Sequence, residues 1–516
     1  MKNKIKALLM GTLLFTASSC ALESEIYDKI NPDIFPTTES DLKGLVTGSV
    51  YSVFSADGYS NLYSAANGVQ TISDCLADVM TCTWGNDWQL VEYNNHNAET
   101  SLINSNLNQF RWYNRLGGMI LTVNRIENCG GTVSEALKAQ YTAETKCGMG
   151  FMAFLLYDLY GPIILPGLDE LSHPEKDIIL PRATEEEMRN FIVDNLTEAA
   201  RVLPYKYAES DYGRFTKGLA NTLLLKYYMR VKDWENAVKI GQELVTNAEY
   251  GYKIEDDYYK LFSPEGKKNP EIVYAIPCIE GAKNSLYQTH VYPGDFPYKE
   301  YFQGAGDNVT LWGGYRMAWS YYRTFEEGDH RLERIYGEYT DVNGKLHNEE
   351  LDKTTGGSLS VGAVPGKYSI VGMVGDQSMC DVVVYRFSDV KTLYAEAVVR
   401  QSNSVNSMAK EYLNEIRTKH GKLPAFTDAE IGTPEKYLDK LLEERGHEFY
   451  MEGVRRQDLI RHGRYVEMAI KKNEYAGQST ENVKRMEDGK YVYELLPIPP
   501  SIIREGQGTI LQNPGF

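Results

Sequence analysis

Apolar residues recur at helical spacing along most of this chain. Leu107, Phe110, Tyr113, Gly117 and Ile120 follow one another at intervals of three or four residues, which places them on one face of a helix. The same spacing returns further along the chain in several separate runs. The pattern predicts a mainly α-helical protein.

Start and stop signals divide this pattern into separate helices. The apolar run FMAFLLYDLY must end at Gly161-Pro162, because proline cannot continue a helix. Thr184 and Glu187 form a capping box, which predicts a helix start there. That helix is expected to end at Leu203-Pro204.

Two helix pairs have the alternation of small and large residues that is typical of tetratricopeptide repeats. One pair lies within residues 218–252, and a second lies within residues 389–421. Thr433-Pro434 predicts the start of a further helix, with a cap followed by proline at the first helical position. Since repeat helices bury their apolar faces only by stacking, we expect a tetratricopeptide-like superhelix as the scaffold.

Helical periodicity fails in two long segments, residues 73–106 and 280–381. Long irregular segments in a compact protein are usually functional or mobile, so these are the expected ligand-binding loops. Two short strands are also predicted, at Glu271–Pro277 and Val382–Phe387, because both runs are rich in β-branched and aromatic residues.

Composition fits a globular protein with a large core. The chain has 516 residues, of which 42% are hydrophobic and 24% are charged. We expect an N-terminal region (residues 20–270) and a C-terminal region (residues 271–516) that pack as one unit. Without the first 19 residues the net charge is 54 − 3 − 71 = −20, which disfavours nucleic acid as a partner.

The first 20 residues resemble a bacterial lipoprotein signal peptide. Lys2, Lys4 and Lys6 precede a short apolar run, and three small residues then lead to Cys20. The resemblance implies removal of residues 1–19, lipidation of Cys20 and a lipid anchor in the membrane. A plain signal peptide or a buried N-terminal helix is the alternative. The six remaining cysteines are expected to be buried thiols, although their number also permits disulfides.

The segment ERGHEFYMEGVRRQDLIRHGRY looks at first like a catalytic centre. Glu444, Glu448 and Glu452 repeat every four residues, so on a helix they form one acidic stripe. Arg445 is placed to pair with Glu448. A retaining glycosidase needs two carboxyl groups about 5 Å apart beside an open cleft, and the segment predicts no cleft. We therefore expect structural ion pairs rather than catalysis.

The same segment is similar to a motif of SusD/RagB-like proteins, and three other stretches resemble this family in the family's order. They are LYDLYGPIILP, SDVKTLYAEAVVR and the C-terminal YELLPIPPSIIREGQGTILQNPGF. In the second, Asp389 stands where the family usually has glutamate. The resemblance implies a non-catalytic lipoprotein on the outside of the outer membrane. Such proteins bind oligosaccharides, or peptides in some branches, and deliver them to a SusC-like TonB-dependent transporter.

A sugar-binding site needs aromatic platforms together with amide and carboxylate groups, because sugars expose apolar C–H faces rimmed by hydroxyls. Two segments within the irregular regions offer these residue types. The first supplies Asp78, Trp84, Asn86, Asp87, Trp88, Tyr93 and Asn95, and the second supplies Tyr292, Tyr298, Trp312, Tyr315, Arg316 and Trp319.

Three other functions remain open at this point. A peptide-binding member of the same family would favour backbone partners and apolar pockets over tryptophan platforms. A secreted glycoside hydrolase would cleave polysaccharides, but the sequence contains no HExxH, G-x-S-x-G or P-loop motif. A tetratricopeptide adaptor would bind only a protein partner. No metal or other cofactor is predicted.

Overall fold

The structure is a computed structural model, and its description covers most of the chain. Over the described residues helices predominate and strands are short, which confirms the mainly α-helical prediction. The described residues are 35–58, 61–66, 68–84, 109–131, 133–176, 178–279, 284–481, 483, 486, 489–490 and 492–516.

The described residues of the N-terminal part form helices and one short strand. The 26-residue helix α4 (Glu135–Tyr160) packs against helices on more than one side and is buried along most of its C-terminal half. The elements are α1 Glu39–Val46, α2 Val69–Leu76, β1 Met80–Cys82, α3 Tyr113–Glu127, α4 Glu135–Tyr160, α5 Leu168–Ser172, α6 Glu185–Val202, α7 Lys217–Arg230 and α8 Trp234–Thr246.

The middle of the chain contains short elements joined by loops. This agrees with the loss of helical periodicity seen in the sequence. The elements are β2 Ile272–Ile276, α9 Tyr287–Val291, α10 Tyr298–Tyr301, β3 Tyr315–Ala318, α11 Trp319–Tyr322, β4 Ile335–Tyr336, β5 Glu338–Thr340, β6 Leu346–Asn348, α12 Glu349–Thr355 and β7 Gly362–Pro365.

The C-terminal part begins with a strand and is otherwise helical. Its elements are β8 Val382–Arg386, α13 Phe387–Ser402, α14 Ser407–Lys419, α15 Asp428–Ile431, α16 Pro434–Phe449, α17 Arg455–Arg461, α18 Tyr465–Tyr475 and α19 Pro500–Glu505.

The predicted helix boundaries are confirmed. α4 ends at Tyr160, and Gly161 follows with φ +71°, a conformation that glycine adopts without strain. The hydroxyl of Thr184 accepts a hydrogen bond from the backbone of Glu187, whose carboxylate accepts one from the backbone of Thr184. Thr433 caps α16 as expected.

The predicted repeat pairs form and stack on one another. α7 packs on α8, α13 packs on α14, and α8 also packs on α13. Gly241 permits this last contact, because a Cβ atom at that position would lie 2.7 Å from the ring of Tyr394. Glycine therefore lets the two helix pairs approach closely.

The described residues form three small sheets, and two of these sheets join segments that are distant in sequence. Strands β1, β3, β7 and β4 form an antiparallel sheet in that order, and β5 pairs with β6. β2 pairs antiparallel with β8, so both predicted strands are present and are partners. Among the described residues no helix is both long and apolar enough to cross a membrane.

Candidate functional site

Strand pairing brings the two predicted ligand-binding segments together. β1 runs antiparallel to β3, with Cys82 opposite Tyr315. The pairing continues one step further, because the backbone N–H of Thr83 donates to the carbonyl of Gly314 at 2.8 Å. Trp84 directly follows Thr83, and Trp312 lies two residues before Gly314. Because the strands are antiparallel, both tryptophans lie at the same end of the β1–β3 pair.

Trp84, His290 and Trp312 form an aromatic patch at this end. The His290 ring centre lies 5.0 Å from that of Trp84 and 5.4 Å from that of Trp312. Trp312 is 42% exposed and Trp84 is half-buried, so the indoles face solvent while the imidazole lies beneath them. Gly314 is required here, because a Cβ atom would lie 2.4 Å from the Trp84 indole.

The backbone around Trp312 is held on two sides. The N–H groups of Trp312 and Gly313 both donate to the carbonyl of Thr289, at 2.8 and 3.1 Å. Thr310 donates to Gly375, whose own N–H donates to Asn308, both at 2.7 Å. These bonds fix the Trp312 backbone without covering its side chain, which is the preorganisation that a binding platform needs.

Polar groups flank the exposed indole. Asn308 and Thr310 are exposed on the same short segment as Trp312, and Gln377 is exposed beyond Gly375. Amides and hydroxyls of this kind donate and accept hydrogen bonds with sugar hydroxyls. The segment therefore combines an apolar platform with a polar rim.

His290 makes the floor of the patch neutral. Burial lowers the pKa of its imidazole to about 4, so the ring carries no charge at neutral pH. A neutral ring between two indoles keeps the patch apolar. Sequence reasoning missed His290, although its position two residues before Tyr292 in an aromatic-rich segment was an available signal.

Several predicted ligand-binding residues lie in the core instead. The hydroxyl of Tyr292 donates to the carbonyls of Gly366 and Tyr368, and that of Tyr315 donates to Ala66. Both tyrosines are buried. A surface ligand does not reach them, so their role in this structure is packing.

Arg316, Trp319 and Asp78 are buried too. Arg316 donates three hydrogen bonds to backbone carbonyls, and burial lowers the pKa of its guanidinium to about 10. The indole N–H of Trp319 donates to Leu359 at 2.8 Å. Both oxygens of Asp78 accept from Arg455, at 2.8 and 2.9 Å, which leaves no free carboxylate for a ligand.

The remaining predicted site residues have different positions. Tyr298 is half-buried, and its hydroxyl donates to the backbone carbonyls of Gly306 and Asp307 at 3.2 and 3.4 Å. Six predicted residues lie outside the described part of the chain, namely Cys20, Asn86, Asp87, Trp88, Tyr93 and Asn95.

The predicted acidic residues, two on α16 and Glu452 three residues beyond its end, belong to a buried ion-pair network, as predicted. Glu444, Glu448 and Glu452 are at most 4% exposed. Arg386 reaches both Glu448 and Glu452, at 2.8 and 2.7 Å. Carboxylates enclosed and paired in this way have no access to a substrate, so the stripe belongs to the scaffold.

The predicted pairing of Arg445 with Glu448 is wrong. Arg445 instead contacts Asp389 and Asp458, each at 2.8 Å. Burial alone would raise the pKa of Asp389, but Lys226 and Arg445 lower it to about 2. The expected pairing three residues apart on one helix does not form, because the Arg445 side chain points towards α13 and α17. There its positive charge pairs with two buried carboxylates.

The comparisons with known proteins agree with this fold. Residues 283–516 match the sequence model of the SusD family. A SusD-like protein of Bacteroides ovatus is 24% identical over 386 residues, covering 70% of this chain and 66% of that protein. The SusD-like protein P38 of Formosa agariphila is 22% identical over 356 residues, covering 64% of this chain and 67% of that protein. The C-terminal part of this chain is therefore similar to the SusD family.

Solved structures give the same answer at the level of the fold. A SusD homolog from Bacteroides thetaiotaomicron superposes with a TM-score of 0.75 at 21% identity, covering 93% of this chain and 98% of that chain. A surface glycan-binding protein A from the same species, in complex with laminarihexaose, gives 0.69 at 19% identity and covers 92% and 100%. A laminarin binding SusD-like protein gives 0.71 at 19% identity and covers 93% and 100%.

Proposed function

We propose that this SusD-like chain is a non-catalytic glycan-binding protein that holds an oligosaccharide on the aromatic patch. The observation that carries the proposal is the exposed indole of Trp312, fixed by its backbone beside Trp84 and flanked by amide and hydroxyl groups. Flat rings pair with the apolar faces of sugars, and the polar rim suits their hydroxyls. Similar folds that bind laminarin or laminarihexaose support the proposed ligand class.

We further propose a place and a partner for this activity. Similarity to the SusD family, together with the N-terminal sequence, supports a lipid anchor at Cys20 on the outer face of the outer membrane. It also supports a SusC-like TonB-dependent transporter as the partner that receives the glycan. Regions 20–270 and 271–516 would then act as one unit, which the shared core and the Lys226–Asp389 ion pair support.

A binding panel tests the function. The purified chain is titrated with a broad set of oligosaccharides and polysaccharides, and separately with peptides. We expect saturable binding to one glycan class and none to the peptides. Peptide binding without glycan binding would overturn the proposed ligand and favour the peptide-binding branch.

An assay for new reducing ends tests the non-catalytic part. Each polysaccharide that binds is incubated with the chain, and no turnover is expected because Glu444 and Glu448 are enclosed. Turnover that disappears in a Glu448→Gln variant would contradict the assignment of these residues to the scaffold. A Glu443→Gln variant is the control, since Glu443 is half-exposed on the same helix.

A further inference from the structure

A second cluster of potential metal ligands lies where the loop before α10 meets the β5–β6 hairpin, separate from the aromatic patch. It consists of Asp295, Asp341 and His347, with one atom from each within 4.8 Å of the others. His347 lies opposite Tyr339 in the hairpin register, and their rings stack at 4.9 Å. Neither the proposed glycan site nor the family resemblance uses these residues.

His347 is oriented in the way a metal-binding histidine is. Its Nδ1 atom lies 2.9 Å from Asp352 Oδ2, which fixes the ring and assigns the proton to Nδ1. The Nε2 atom is buried and makes no hydrogen bond. Its nearest acceptors, Asp341 Oδ2 and Asp295 Oδ2, are 3.5 and 3.6 Å away, beyond the usual hydrogen-bond length.

Each carboxylate presents its second oxygen to the same point. Asp341 Oδ1 accepts from the backbone N–H groups of Asn343 and Lys345 at 2.8 and 2.9 Å. The hydroxyl of Tyr339 donates to Asp295 Oδ1 at 2.9 Å. Both Oδ2 atoms are thereby directed at His347 Nε2, and the bonds to Oδ1 hold the carboxylates in place as outer partners do in metal sites.

We propose that His347, Asp295 and Asp341 bind a divalent transition ion of the zinc type. With metal–ligand bonds of about 2.0–2.2 Å, neighbouring ligands of a tetrahedral ion lie about 3.3–3.6 Å apart. The 3.5 and 3.6 Å separations match this spacing. An imidazole with two carboxylates suits zinc better than calcium, which takes oxygen ligands almost only.

A second histidine–carboxylate cluster, in the core, differs from the proposed site because an arginine already pairs with its carboxylates. Glu271, His420 and Glu448 also lie close together, but the guanidinium of Arg386 is 2.6 Å from Glu271 and 2.8 Å from Glu448. That cation already neutralises them and would repel a metal ion. Within the described part of the chain, Asp295 and Asp341 lie within ion-pair distance of His347 and of no arginine or lysine.

The proposed site has an entry path and a mechanical role. The side chain of Asp295 is 32% exposed, so an ion can enter from solvent and a water molecule can complete its coordination. Asp295 belongs to the loop before α10, whereas Asp341 and His347 belong to the hairpin. A bound ion would therefore cross-link the loop to the hairpin.

Metal titration of the full chain tests this proposal. The protein is stripped with a chelator, and Zn²⁺ is added in one calorimetric titration and Ca²⁺ in another. We expect one Zn²⁺ per chain and at least tenfold weaker binding of Ca²⁺. Asp295→Asn, which keeps the shape of a half-exposed side chain, should weaken Zn²⁺ binding at least tenfold. His347→Gln should abolish it.

His173→Gln is the matched control, because His173 lies within 3.5 Å of Asp169 and Glu175 on the surface and should not affect binding. Cobalt substitution distinguishes the site from the cysteines, since thiolate ligands add an intense charge-transfer band that imidazole and carboxylate lack. The proposal would be overturned if no stoichiometric ion bound or if the cobalt form showed a thiolate band. It would also be overturned if Ca²⁺ bound as tightly as Zn²⁺, or if the folded Asp295→Asn variant bound Zn²⁺ as tightly as the unaltered chain.

Discussion

Hydrogen bonds of its main chain hold Trp312 in place, and they leave the indole exposed for stacking on a ligand. Its N–H donates to Thr289, and its neighbours Thr310 and Gly313 are anchored in the same way. Trp319, seven residues later, is buried and hydrogen-bonded through its indole. Two tryptophans in one segment thus differ in exposure: the backbone of Trp312 is anchored while its side chain is exposed, whereas the side chain of Trp319 is buried.

Replacing Trp312 tests the platform directly. Trp312→Ala should weaken glycan binding at least tenfold, about 1.4 kcal/mol, because the sugar loses its stacking surface. The free energy of unfolding should change by less than about 1 kcal/mol, since the side chain is largely exposed. Calorimetric titration and denaturant unfolding measure the two effects. Tyr475→Ala, another exposed aromatic change, should leave glycan binding unchanged.

The buried charges of the scaffold make a second prediction at this scale. Arg386→Leu leaves Glu271, Glu448 and Glu452 without their shared cation, and should cost about 3–5 kcal/mol of folding free energy. Arg111→Leu removes an exposed pair with Glu505 and should cost less than about 1 kcal/mol. Equal effects of the two changes on denaturant unfolding would contradict the scaffold assignment.

Sequence could identify residue types for the site but not their exposure. Trp84 and Trp312 were predicted with Tyr315, Arg316 and Trp319, and all five have the right chemistry. Only tertiary packing separates the exposed from the buried residues: Tyr315 and Arg316 are buried on β3, and Trp319 is buried at the start of α11. Burial of this kind depends on contacts between distant segments, which the local pattern does not contain.

Among the secondary-structure elements, those with local signals were predictable. The capping box at Thr184, the proline after Thr433 and the glycine–proline pair after Tyr160 all mark real helix ends. The four-stranded sheet was not predictable, because strands of two to four residues show no usable alternation. Its pairing, from β1 to β3 to β7 to β4, is also entirely between distant segments.

The cap of α6 gives a prediction for this element. Thr184→Ala removes the acceptor for the Glu187 N–H and should destabilise the protein by about 1 kcal/mol. Thr246 is the last residue of α8, and its hydroxyl donates to the Gln242 carbonyl. Thr246→Ala removes only this hydroxyl and should leave the free energy of unfolding nearly unchanged. Urea unfolding of both variants measures the difference, and equal stabilities would refute a role for the cap.

Over the whole molecule, buried ion pairs link the N-terminal and C-terminal regions and make stability depend on pH. His420 places Nδ1 2.8 Å from Glu448 and Nε2 2.9 Å from the Glu255 carbonyl, so both ring nitrogens must donate. Burial alone would lower the pKa of His420, but Glu448 and Glu271 raise it to about 10. The folded protein therefore keeps this proton well above neutral pH.

The sign of the effect follows from this raised pKa. Below about pH 6.5 the unfolded chain also binds the proton, and the stabilisation from His420 is fully present. Between pH 7 and 8 only the folded state keeps the proton, so its contribution should fall by about 1 kcal/mol. Guanidinium unfolding at both pH values should show this loss. His420→Gln should be less stable overall, and a pH dependence as steep as that of the unaltered chain would contradict the assignment.

The central claim concerns where a glycan lies on the whole molecule, and a crystal structure of the chain with a bound oligosaccharide tests it most directly. The account predicts a sugar ring stacked on Trp312, with Trp84 alongside and hydroxyls bonded to the amide and hydroxyl groups of residues 308–310 or 377. A sugar seated instead in the groove of about 580 Å³ that Asp78, Tyr321 and His447 line would contradict it.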